Sequence, residues 1–169
     1  EDLFEIMDDH PSSLEPSRLR LDLDAVTRHF RRAEEDGRDF LFEHETYLLL
    51  KHLGVETCPR SLFLSKDAWP ADDELMQMPG DKVVLKVVSP AIVHKTEVGG
   101  VRIIAKTCED IRSAWQRMMV EVPERFAART RRNPDHAPAD YQGLQGEQLP
   151  SAIARDIRGV LMTQYLPPE

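Results

Sequence analysis

The sequence predicts an α/β lobe of the α+β kind, a small mixed sheet flanked by helices. Two observations carry this. Four short runs rich in aliphatic and β-branched residues, 61–64, 83–88, 101–105 and 159–166, have the length of strands. Between them lie stretches with apolar residues at helical spacing, 22–36, 42–53 and 107–121, most of them bounded by a cap. At 169 residues there is room for one ordinary domain, or for one lobe of a larger unit.

Residues 1–20 mix acids with Pro11, Ser12, Ser13, Pro16 and Ser17 and read as a linker or N-terminal arm. Leu3, Phe4 and Ile6 are apolar positions through which it could dock on something. The rest, 21–169, reads as one unit. Asp22 or Asp24 caps a helix over 22–36 with Val26, Phe30 and Ala33 on one face, and Gly37 ends it in the left-handed conformation. The helix over 42–53 buries Thr46, Leu49, Leu50 and Leu53 and stops at Gly54. Cys58-Pro59 breaks the chain before the strand Ser61–Leu64. A weak helix over 66–78 is interrupted at Pro70 and closed by Pro79-Gly80.

The strands 83–88 and 101–105 follow. Thr107 and Asp110 then have capping-box spacing and open a helix to about 121, with Ile111, Ala114, Trp115 and Met118 inward. Residues 122–156, rich in Pro, Arg, Gly and Gln, read as a mobile surface insertion whose arginine-rich run 125–132 could meet a partner or an anion. The last strand runs into Pro167-Pro168. A start at Glu1 and an end just past an apolar run read as a fragment of a longer protein.

The net charge of −8 argues against a general nucleic-acid binder but leaves room for a small basic pocket. No apolar run is long enough to span a bilayer, and the N-terminus lacks a signal-peptide pattern. Cys58 and Cys108 offer neither a disulfide framework nor metal-ligand spacing, so the expected address is cytoplasmic and no metal site is expected within the chain.

The chemistry concentrates at 83–104. Lys86 sits alone among Val84, Leu85, Val87 and Val88, and an ammonium on a half-buried strand needs an anion, since its desolvation costs several kcal/mol. The structural alternative is an edge-strand lysine that discourages aggregation. After Ser89-Pro90, the polar loop carries His94 and Lys95 and leads to Gly99-Gly100. Glycines there would let backbone amides converge on a phosphate, or would simply form a hairpin bulge. Neither Walker-type nor G-x-G-x-x-G spacing is present.

Three stretches together resemble one family. Leu41-Phe-Glu-His-Glu-Thr-Tyr-Leu-Leu-Leu-Lys-His-Leu-Gly-Val55 resembles the segment that opens the ATP-grasp part of NDP-forming acyl-CoA synthetases. Val-Val-Leu-Lys86-Val-Val-Ser-Pro90, followed by His94-Lys95-Thr-Glu-Val-Gly99-Gly100-Val101, is similar to that family's most recognisable motif. Gly159-Val-Leu-Met-Thr-Gln164-Tyr-Leu-Pro-Pro168-Glu resembles the strand and hinge that follow. The likeness covers 22 to about 121 and 157–169, and the long stretch 122–156 departs from it.

The family includes ADP-forming acetyl-CoA synthetases and is related to succinyl-CoA synthetase. The resemblance implies the N-terminal lobe of an ATP-grasp domain. It also implies the reaction acid + CoA + ATP ⇌ acyl-CoA + ADP + phosphate, through a phosphohistidine. Carried over, Lys86 would contact the α- and β-phosphates. The loop from His94 to Gly100, with Lys95, Gly99, Gly100 and the following Val101 as contacts, would be a glycine-containing lid. His94 would stand where the family carries phosphate toward a distant histidine. Gln164, Tyr165 and Leu166 would form the adenine hinge, with Glu169 near the ribose.

Mg²⁺ would be held by acids beyond this chain, and CoA by separate CoA-binding and ligase domains or subunits of an oligomeric enzyme. The fragment alone would be inactive. An alternative from the same resemblance is a nucleotide- or CoA-sensing regulatory module fused to a protein acetyltransferase. A third is an interaction domain whose lysine and glycines are structural.

Overall fold

The computed structural model describes residues 22–55 and 58–167. The expected arm at 1–20 therefore lies outside the described residues. A helical hairpin comes first: α1, Leu23–Glu35, and α2, Glu43–His52. Asp22 caps α1 by accepting a 2.9 Å hydrogen bond from the Ala25 N–H, as its sequence position suggests. Gly37 and Gly54 both take positive φ just past the helix ends.

The four strands are β1 (Ser61–Ser65), β2 (Lys82–Val88), β3 (Val101–Ala105) and β4 (Gly159–Gln164). They lie in the order β1-β4-β2-β3, so β2 and β4 are central and the lysine-bearing strand is no edge strand. Every pairing is antiparallel, in place of the mixed pairing expected.

One sheet face carries the main core. Val83, Leu85 and Val87 of β2 are fully buried with Val160 and Met162 of β4. They pack on α4 (Cys108–Arg132) and α5 (Gln148–Asp156) through Ile111, Met118, Val122 and Ile153. Burial of side chains of this size stabilises the fold by roughly 1.5–3 kcal/mol each. Among the described residues, the opposite face carries a smaller cluster at one corner, where Phe42 just ahead of α2 meets Val88 and Leu161, flanked by Tyr47 and Phe63.

The sequence-based expectations need four adjustments. Ala33 is buried as expected, but Phe30 is exposed and Ala25 is the other buried residue of α1. Thr46, Leu49, Leu50 and Leu53 of the second helix are half-buried, because the hairpin lies at the margin of the sheet. The weak helix at 66–78 shrinks to α3, Asp72–Met76, clear of Pro70. Thr107 caps its helix, with Asp110 N–H donating to Thr107 Oγ1 at 3.0 Å, but the reciprocal half of the capping box is replaced by a Thr107 hydroxyl bond to the Asp110 carboxylate, and the helix runs to Arg132.

That last change replaces the expected mobile insertion with packed structure. Pro123 sits inside α4, where its ring removes one backbone hydrogen bond. Val122, Phe126, Ala127 and Thr130 recur at helical spacing on the buried side and offset that loss. Two 3-10 turns, Pro134–His136 and Ala139–Tyr141, lead back to α5. Tyr141 packs edge-on to Phe126 at 6.2 Å and donates a 2.6 Å hydrogen bond to Asp156. Residues 122–156 thus close the main core.

Phe126→Ala should lower the unfolding free energy by about 3–5 kcal/mol, the usual cost of emptying a buried aromatic site. Urea titration measures this, and a near-neutral substitution would return the segment to the surface.

Candidate functional site

The alternation of β2 that buries Val83, Leu85 and Val87 turns Lys86 to the other face. There it lies between Val101 of β3 and Leu161 of β4, its neighbours across the two ladders. Along that face Ile103 of β3 is 57% exposed, whereas Leu161 and Thr163 of β4 are buried. The Lys86 ammonium donates to Glu43 Oε1 at 2.5 Å, and both side chains are about a third open to solvent (27% and 33%). The Tyr47 hydroxyl, one turn along α2, donates to the same oxygen at 2.7 Å.

Burial pushes the Glu43 carboxyl up, but the hydrogen bonds from Lys86 and Tyr47, with the charges of Lys86 and Lys95, hold it below the ordinary 4.5. Burial, with the bond to Glu43, pushes the Tyr47 hydroxyl well above its ordinary value. The anion that a strand lysine demands is thus supplied from 43 residues upstream.

Lys86 and Glu43 line a cavity of about 350 Å³. Its walls include Phe42, Val88, Ser89 and Leu161, and its charged lining is Lys86, Lys95 and Glu43. Its position rests on how α2 begins. Arg38, 8% exposed, grips the Glu45 carboxylate with two bonds of 2.8 and 2.9 Å and lies 4.1 Å from the Phe42 ring centroid. Glu45 also accepts from the Phe42 N–H at 2.7 Å, which ties down the first turn of α2 and with it Glu43.

The loop after β2 turns at buried Ser89 and ends in a 3-10 turn, Lys95–Val98, whose Val98 is buried in the main core. Gly99 closes that turn at φ +70°, and a side chain there would also run into Arg125. At Gly100 a Cβ would stand 2.6 Å from Val87 Cγ1 and 2.9 Å from the Lys95 carbonyl. The glycine pair therefore lets the loop lie against β2 and α4, and the close approach it permits is first of all to protein.

Lys95 and His94 part company. Lys95 lines the Lys86 cavity, whereas His94 lines a separate one of about 680 Å³ with Arg129, Asn133 and His136. Val93 borders both. Arg129 is itself ion-paired to Glu97.

The hinge candidates stand at the other end of the sheet, since Gln164 pairs with Val83 while Gly159 pairs with Val88. Tyr165 brings its ring to 6.0 Å from the Lys82 ammonium, and Leu166 is exposed. Glu169 lies outside the described residues. Among the described residues no three His, Cys, Asp or Glu side chains gather as a metal site, so these residues do not by themselves form a Mg²⁺ cage.

Sequence reading missed Glu43, Tyr47 and Ser89. The available signal was charge: a lone lysine in an inner strand calls for a carboxylate, although nothing in the sequence says which one.

With this geometry in view, the comparisons identify the family. A model of the ATP-grasp domain matches residues 32–132, and the chain belongs to that family. Over 81 residues it is 37% identical to the acetate–CoA ligase [ADP-forming] II of Archaeoglobus fulgidus, covering 47% of this chain and 11% of that protein. Over 40 residues it is 48% identical to the acetate–CoA ligase [ADP-forming] I subunit beta of Pyrococcus furiosus, covering 24% of this chain and 17% of the subunit. The matched stretches are thus a small part of both relatives. No solved structure matches the chain. No helix among the described residues is long and apolar enough to cross a membrane.

One titratable group beside the cavity sets a pH dependence. His44 stacks between Phe42 and Phe63, at 5.8 and 4.6 Å, and its Nδ1 is buried without a hydrogen-bond partner. Burial, with Arg38 and His29 nearby, outweighs Glu45 and Glu43 and holds it below 6.5. The folded state favours neutral imidazole, so this stability is present above the unfolded value and is lost as pH falls through the folded one. Thermal unfolding should show the transition temperature dropping from pH 7 toward pH 5, with a shallower drop in His44→Phe, which keeps the ring stack. His29, lowered by burial and then by His52, accounts for part of what remains.

Proposed function

We propose that this chain is the N-terminal lobe of the nucleotide clamp in an NDP-forming acyl-CoA synthetase, with Lys86 and Lys95 as its phosphate contacts. The observation that carries this is the cavity at the end of β2, lined by Lys86 and Lys95 of the family motif together with Glu43 and mainly apolar side chains. Phosphoryl transfer depends on positioned positive charge more than on covalent chemistry by the protein, and this lobe offers such charge.

The reaction proposed for the whole protein is acid + CoA + ATP ⇌ acyl-CoA + ADP + phosphate, through a phosphohistidine, in the cytoplasm. Mg²⁺ would accompany the nucleotide and neutralise phosphate charge, while CoA would be held by other domains or subunits. Within this chain, Lys86 would hold the α- and β-phosphates, and Lys95 would approach from the loop. Val101 would flank Lys86, with Gly99 and Gly100 shaping the loop beside it. Gln164, Tyr165 and Leu166 would form the adenine wall and Glu169 would lie near the ribose. His94, turned to the neighbouring cavity, would serve in carrying phosphate out of the nucleotide site; neutral imidazole is a competent acceptor near pH 7. The lobe alone would be inactive.

Calorimetric titration of the full-length protein with Mg-ADP tests the assignment. Lys86→Ala should weaken binding at least about tenfold, as expected for loss of a charge-assisted contact. An unchanged Kd would remove Lys86 from the site. His94→Ala should leave that Kd unaltered while abolishing turnover, because its side chain lies across the loop.

A further inference from the structure

The cavity holds an anion of the protein's own. Of its three charged lining residues two are cations, and the third, Glu43, is bonded to one of them at 2.5 Å. We infer that Glu43 is an internal stand-in for phosphate, a counter-ion that holds Lys86 in position while the site is empty and must yield it when a nucleotide phosphate arrives. This inference rests on the nucleotide reading of the cavity and adds to it a residue that positions and gates the lysine.

Three features of the geometry support an exchangeable partner rather than a fixed structural bridge. First, Glu43 and Lys86 are each about a third open to water, so the pair is reachable by an incoming anion. Second, Glu43 keeps a partner when it lets go, because the Tyr47 hydroxyl donates to it from the same helix, one turn away. The carboxylate is never left bare. Third, what anchors the start of α2 is a different residue. Glu45, with Arg38 and the Phe42 N–H, carries that task and leaves Glu43 free of it.

A lysine in an inner strand without a counter-ion would be costly to fold, so an empty phosphate site of this kind needs a carboxylate nearby. The same carboxylate then competes with the ligand. The apparent affinity is reduced by the fraction of molecules in which Lys86 is free, and the association rate is reduced by the same factor.

The test compares wild type, Glu43→Gln and Lys86→Ala in the full-length protein, with Mg-ADP as probe, by calorimetry and stopped-flow mixing. Glu43→Gln keeps an acceptor for Tyr47 while removing the charge. Competition of this kind makes its Kd about tenfold lower than wild type, entirely through faster association with the dissociation rate unchanged. Glu43→Asp, charged but one methylene short of Lys86, falls between the two and guards against a folding defect in the amide variant.

Unaltered or weaker binding by both Glu43 variants overturns the inference, as does a gain that appears in the dissociation rate. Failure of the underlying reading looks different. In that case wild type does not bind ADP, or Lys86→Ala binds as well as wild type.

Discussion

The two-residue period of β2 is the constraint on which the rest depends. As an inner strand, bonded to β4 on one side and β3 on the other, it can alternate only by committing each residue to one of two environments. Val83, Leu85 and Val87 go to the core with α4 and α5, and the same geometry sends Lys86 to the opposite side. A slip of one residue would bury the ammonium under α4 and expose the valines. The packing that stabilises the lobe therefore also aims its lysine.

What makes that aim tolerable is α2. A cation on an inner strand needs a partner, and the partner must come from an element laid across the sheet rather than from within it. Glu43 fulfils this because the chain entering α2 is fixed independently by Arg38, Glu45 and the Phe42 backbone. The Arg38 guanidinium also donates to the Phe40 carbonyl at 2.9 Å, so one buried arginine sets the whole turn between the two helices. Among the described residues, contact between the hairpin and the sheet is small and lies at one corner, next to Lys86.

Much of this was legible in the sequence where one local signal sufficed. The caps at Asp22 and Thr107, the glycine stops at Gly37 and Gly54, and the four strands are each encoded within a few residues. The failures were of a different kind. The stretch from 122 looked like an insertion because of its Pro, Arg, Gly and Gln content, whereas the burial of Phe126 and Thr130 that keeps it helical depends on α5 and Tyr141, absent from any short window. Phe30 looked like core because helical spacing shows a face without saying what covers it. At the site, Lys86 and Lys95 were visible in the motif, but the pairing of Lys86 with Glu43 joins positions far apart in the chain. Family likeness supplied the motif's meaning, and only the fold supplied its counter-ion.

The glycine pair and the His94-Lys95 pair show how a motif divides its labour. Gly99 is required by its positive φ of +70°, and Gly100 by Val87 and the Lys95 carbonyl, which leave no room for a side chain. That requirement is structural, yet it has a chemical consequence. By pinning the end of the loop to β2, with the Val87 N–H donating to the Gly100 carbonyl at 2.8 Å, it determines where the preceding residues can point. Adjacent residues in such a loop diverge, so Lys95 enters the cavity of Lys86 while His94 enters the next one. The loop is thus a partition as well as a cradle. One side places Lys86, Lys95 and Glu43 around a cavity, the other presents an imidazole beside Arg129 and His136, and Val93 borders both.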